Sequence, residues 1–121
     1  MTAPASELER TELSPAAALF RSLGDPARLV IVRHLAAGPA RVTDLTAALG
    51  LAQSTVSKHL ACLRDCGLVA SEAAGRASVF RLAQPALADM LTAAEAVLAA
   101  TGNAVALCPG YGRDDREQQG P

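Results

Sequence analysis

Thr43-Asp44-Leu45-Thr46-Ala47-Ala48-Leu49-Gly50-Leu51-Ala52-Gln53-Ser54-Thr55-Val56-Ser57-Lys58-His59-Leu60-Ala61-Cys62-Leu63-Arg64-Asp65-Cys66-Gly67 is the stretch that decides the fold. Thr43 reads as the N-cap of a short helix with Leu45 and Leu49 turned inward, and Gly50 ends it. Two residues later a longer helix opens near Gln53 and runs to Cys66. Its Val56, Leu60 and Leu63 follow one another at spacings of four and three, a single apolar stripe, and Gly67 stops it. A short helix joined by a Gly-containing turn to a second helix is the signature of a helix-turn-helix.

The flanks complete the pattern. Upstream, Ser14-Pro15 reads as an N-cap with proline at the first helical position, opening a helix to Leu23. Gly24 breaks it. Asp25-Pro26 repeats the signal and opens a helix with Leu29, Val32 and Leu35 on one face, stopped by Gly38-Pro39. Downstream the period changes to that of strands. Leu68 to Ala73 and Ser78 to Leu82 flank Gly75-Arg76 as a hairpin, which supplies a wing. Gln84-Pro85 opens a last amphipathic helix with Leu87, Met90, Leu91, Ala94, Val97 and Leu98, ended by Gly102. The expected class is mainly α with a small β-hairpin, a winged helix-turn-helix. The divisions are an N-terminal arm (1–13), a DNA-binding and dimerisation domain (14–102) and a tail (103–121), with disorder expected beyond Pro109.

Composition agrees with one small globular domain. Half of the 121 residues are hydrophobic and 19% are charged, which excludes a disordered chain. With two Phe, one Tyr and no Trp, the core has to be aliphatic. So short a chain buries a limited share of its surface alone, which favours a homodimer. No apolar stretch reaches the roughly 18 residues that span a bilayer, and Met1 to Arg10 lacks a signal-peptide core, so no membrane partner and a cytoplasmic location are expected. In that compartment three cysteines read as free thiols, metal ligands or redox groups before disulfides.

The net charge of −1 does not advertise a nucleic-acid partner, but its distribution is uneven. Residues 41–82 carry Arg41, Lys58, Arg64, Arg76 and Arg81 against Asp44, Asp65 and Glu72; the last helix carries Asp89 and Glu95 alone. The first two turns of the helix from Gln53 offer Gln53, Ser54, Thr55, Ser57, Lys58 and His59 with no carboxylate. Gln pairs with adenine, Ser and Thr reach bases or phosphates, and Lys takes guanine or phosphate. The N-terminal residues of a recognition helix are those that reach base edges, so these six are the DNA-binding candidates. Outside the helix-turn-helix context they would read equally well as solvated polar residues. Arg76, at the hairpin tip, is a candidate for the minor groove or a phosphate. Arg41 and Arg81 are weaker phosphate candidates.

Cys62 and Cys66 stand four residues apart, on one helical face a turn apart, at the flank of the apolar stripe. Such thiols suit soft or borderline ions: Cd(II), Pb(II), Zn(II), As(III) or Cu(I). Two ligands are too few for selective binding, and Cys108, in Ala106-Leu107-Cys108-Pro109, is the candidate third. Free cysteines also commonly pack as small apolar side chains, and that alternative stands.

Leu23-Gly24-Asp25-Pro26-Ala27-Arg28, Gln53 to Leu60, Leu63-Arg64-Asp65-Cys66-Gly67-Leu68-Val69 and the Gly75-Arg76 turn together resemble the ArsR/SmtB family of metal-responsive winged-helix repressors. The likeness covers roughly residues 14 to 100. It implies an elongated homodimer paired through the first and last helices, bound to double-stranded operator DNA and released by metal. Leu60 to Leu68 resembles the family's cadmium- and lead-sensing branch, which implies Cys62, Cys66 and Cys108 as ligands, the last from the partner subunit. The family's arsenic-type cysteine pair has no counterpart near Gln53. Its zinc- or nickel-type set on the last helix finds only Asp89. His59 shares a stripe with the two cysteines but reads as a DNA contact or solvated, and His34 as a surface or dimer-contact residue. Cd(II) or Pb(II) is therefore the expected inducer, with Zn(II) and As(III) as further candidates. The rivals are a thiol-based redox regulator of the same fold, a thiol oxidoreductase, and a dimeric module that has lost DNA binding. The oxidoreductase is disfavoured: the chain has no Cys-x-x-Cys, no Gly-rich phosphate loop and no nucleophile with a base and orienter.

Overall fold

Helices built round a hairpin are expected, and that order is observed. The computed structural model describes residues 2–107, which run α1 (Thr2–Leu23), α2 (Pro26–Ala36), β1 (Ala40–Arg41), α3 (Val42–Leu49), α4 (Gln53–Asp65), β2 (Val69–Ala74), β3 (Ala77–Leu82) and α5 (Ala86–Ala100). Among the described residues no helix is long and apolar enough to cross a membrane.

The two helices of the motif are set by their ends and their inward faces. Gly50 stands at φ +69°, a left-handed conformation that a side chain disfavours, and its N–H donates to the Thr46 carbonyl at 2.8 Å. The chain thereby leaves α3 and re-enters α4 within three residues. Val56, Leu60 and Leu63 are sealed from solvent, as the stripe predicts, and Leu45 of α3 is equally buried. Truncating Leu45, Leu60 or Leu63 to Ala costs about 2–5 kcal/mol, so these buried contacts hold α3 and α4 to the core.

β2 and β3 pair antiparallel from Val69↔Leu82 to Ala74↔Ala77, with Gly75 at φ +67° in the turn. β1 adds to the other side of β3 through Ala40↔Phe80 and Arg41↔Val79, giving the order β1-β3-β2. This two-residue strand is too short to show a period in the sequence. Phe80 is buried, and with Ile31, Val32, Leu35, Leu68, Val69, Leu87 and Leu91 it closes an otherwise aliphatic core.

Four local features differ from the sequence reading. α1 does not begin at the Ser14-Pro15 signal but runs through it from Thr2. Proline removes one N–H donor, yet the flanking Glu, Leu, Arg and Ala residues favour helix strongly. The hydroxyls of Thr11 and Ser14 also donate back to the carbonyls of Glu7 and Arg10, each at 3.1 Å. α3 is capped from Arg41 and not from Thr43, because the Asp44 carboxylate accepts the Arg41 N–H at 3.0 Å. Ile31 is fully buried although it stands outside the stripe read for α2. Val97 of α5, read as inward, is 63% exposed.

Candidate nucleic-acid interface and thiol pair

Because Val56 and Leu60 point into the core, most of the residues between and before them face solvent. Gln53, Ser54, Thr55, Ser57 and Lys58 are all exposed, a face of donors and acceptors on the first two turns of α4. The wing carries Arg76 exposed beside Gly75. Arg41 is also exposed, whereas Arg81 shares its charge with Glu72 at 3.8 Å, a solvent-facing pair worth little.

His59 is only half-buried on the flank of α4, and its charge reaches Asp25. Asp25 caps α2 by accepting the N–H groups of Ala27 at 2.8 Å and Arg28 at 3.2 Å. The Arg28 N–H chiefly holds its carboxyl below the ordinary 3.8; the Ala27 N–H and the charges of His59 and Arg28 help, against a smaller opposing effect of burial.

At the other end of α4, Cys62 is half-buried, Cys66 is exposed, and both are free thiols. The Cys66 N–H closes the last turn onto the Cys62 carbonyl at 3.1 Å. The sequence gives no hint of one partner. Ser22, at the end of α1, brings its hydroxyl to 3.1 Å from the Cys66 sulfur across 44 positions of chain. By donor chemistry the pair fits a soft cation. Among the described residues no three His, Cys, Asp or Glu side chains gather as a complete metal site. Cys108, the third candidate, lies outside the described residues, as does the tail beyond Pro109. Up to that point the segment after α5 is anchored. Leu107 is buried, its N–H donates to the Glu95 carboxylate, and Arg33 Nη1 donates to the Ala106 carbonyl at 3.2 Å.

The profile of the family described as "Bacterial regulatory protein, arsR family" matches residues 25–71, from the cap of α2 into β2. The transcriptional regulator NmtR of Mycobacterium tuberculosis is 39% identical over 88 residues, 73% of each chain. The chain belongs to the ArsR family. A probable mercury resistance operon repressor of Streptomyces lividans is 31% identical over 110 residues, 88% of each chain. The regulator CmtR of M. tuberculosis is 45% identical over 78 residues, 64% of this chain and 66% of that one. Its solved structure, described as a cadmium metal-sensor, superposes with a TM-score of 0.56 at 44% identity, covering 64% of this chain and 80% of that one. The homodimeric winged helix-turn-helix DNA-binding domain Mb0332 of Mycobacterium bovis superposes at 0.67 with 27% identity, covering 74% of this chain and 82% of that one. As an ArsR-family member this protein is a transcriptional regulator with a winged helix-turn-helix and not an enzyme, which disposes of the oxidoreductase rival.

Proposed function

We propose that this ArsR-family protein is a repressor that binds operator DNA as an apo homodimer and leaves it when a soft thiophilic ion, Cd(II) or Pb(II), engages Cys62, Cys66 and Cys108. The observation that carries this reading is that α4 bears the exposed polar face on its first turns, with Cys62 on its last turns and Cys66 as its C-cap. The likeness to a cadmium sensor supports the choice of metal. Gln53, Ser54, Thr55, Ser57, Lys58 and His59 would read the major groove and Arg76 the adjacent backbone or minor groove. A dimer two-fold would hold the recognition helices about one DNA turn apart, ~34 Å. Large apolar side chains left in water on α1 and α5 support the dimer, as does the homodimeric M. bovis neighbour.

A bound soft cation supplies strong thiolate bonds. The chain supplies a helix whose C-terminal thiols, joined to Cys108, tie the segment beyond Leu107 to the element that reads DNA. If that tied state fits DNA less well, DNA weakens metal binding by the same factor; a typical coupling of about 1–3 kcal/mol lowers operator affinity ~5- to 150-fold.

The test is fluorescence anisotropy of the reduced protein on DNA from its own promoter, with and without Cd(II) or Pb(II). Tight apo binding lost at one metal per protomer is the expected outcome. Tight binding that ignores both ions overturns the inducer assignment. Hg(II), suggested by the Streptomyces relative, then follows with As(III), Zn(II) and peroxide. The exposed free thiol of Cys66 favours peroxide as the second reading, a redox switch of the same fold.

A further inference from the structure

Among the described residues Ser22 is the one polar side chain that is buried, with 6% exposure. A hydroxyl removed from water needs a partner, and the partner it has is the Cys66 sulfur at 3.1 Å. Ser22 is itself fixed, because its carbonyl accepts the Arg28 Nε–H at 2.7 Å. While Cys66 is a thiol, either atom can donate. A sulfur bonded to a soft cation would have no proton to share, so against a ligated Cys66 the Ser22 O–H is the donor and the sulfur the acceptor. Cys62 has no such partner among the described hydrogen bonds, so the two thiols are unequal.

We propose that Ser22 is a positioning residue for the thiol site: its hydroxyl donates to Cys66 Sγ when that sulfur serves as a ligand, holding the sulfur in place and tying the end of α4 to the last turn of α1. The proposal rests on the metal-released reading above. It adds a route by which a change at Cys66 reaches α1, the helix whose outer face carries exposed Leu13 and Phe20.

Reduced full-length wild type, Ser22→Ala and Ser22→Thr are titrated with Cd(II) against a competing chelator. Thiolate-to-cadmium charge-transfer absorbance and the cadmium NMR shift are followed together. Ser22→Ala is expected to bind Cd(II) roughly 10- to 100-fold more weakly with a displaced cadmium resonance, the usual scale for removing a group that orients a metal ligand. Ser22→Thr keeps the hydroxyl and should recover most of the loss. Wild-type affinity and an unmoved resonance in Ser22→Ala overturn the proposal. Equal losses in both variants do so too, since the effect would then follow packing. A wild-type chain that gives no charge-transfer band overturns the metal reading instead. The Ser22 contact is then judged in apo protein by the alkylation rate of Cys66 relative to Cys62: a change in Ser22→Ala upholds the contact, and unchanged rates sink it.

Discussion

Lys58 stands exposed between Ser57 and His59 on the second turn of α4, with Leu60 locked beneath it in the core. On the proposed reading this cation meets DNA phosphate and displaces a counterion, so its removal has a thermodynamic signature beyond lost affinity. Lys58→Ala should weaken operator binding and flatten the slope of log affinity against log salt by about 1. An unchanged slope in a salt titration would remove Lys58 from the phosphate contacts. Cys66 caps the far end of the same helix, where the proposed function makes it a metal ligand. Cys66→Ser should remain on the operator at Cd(II) concentrations that release the wild type, as read by anisotropy. A Cys66→Ser protein still released by Cd(II) would sink the ligand assignment.

At the scale of elements, the joints between helices carry as much of the argument as the helices. Asp25 caps α2, and its carboxyl is held below 3.8, chiefly by the Arg28 N–H. A depressed carboxylate contributes stability that is fully present above its unfolded pKa and lost as pH falls through the folded one. Asp25→Ala should therefore lower the melting midpoint at neutral pH, and the gap from wild type should close in acid below 3.8. A gap that persists unchanged at low pH would show that the carboxylate charge is not what stabilises the joint. Helix-turn-helix and wing were legible in the sequence because Gly50, Gly67 and Gly75 punctuate it where the apolar period ends or changes. The exposed polar face of α4 followed from the same stripe. Ile31 and Val97 were not legible, since which flank of an apolar helix is buried depends on its neighbours. Nor was the Ser22–Cys66 contact, because no local pattern records which residues the α1–α2 joint brings beside the end of α4.

For the molecule as a whole, the question is what covers α1 and α5. Leu19 and Leu23 turn α1 toward the core, yet Leu13 and Phe20, seven residues apart and so on one face, are 60% and 63% exposed. Val97 of α5 is 63% exposed as well. Burying a side chain of this size stabilises by roughly 1.5–3 kcal/mol, so leaving all three in water is costly for a chain with so small a core. A second copy that covers them would also supply the second recognition helix, which multiplies operator affinity. Phe20→Glu puts a charge into that face without touching the core. It should raise the dimer dissociation constant by roughly 30-fold or more, the scale of an interface hot spot. Sedimentation should then show monomer, circular dichroism an intact helical fold, and anisotropy a loss of operator binding that returns as protein concentration rises. A Phe20→Glu protein that stays dimeric would move the interface off this face of α1 and leave Phe20 exposed for another reason. A monomer that binds the operator as tightly as wild type would separate DNA binding from dimerisation and remove the need for an inverted-repeat site.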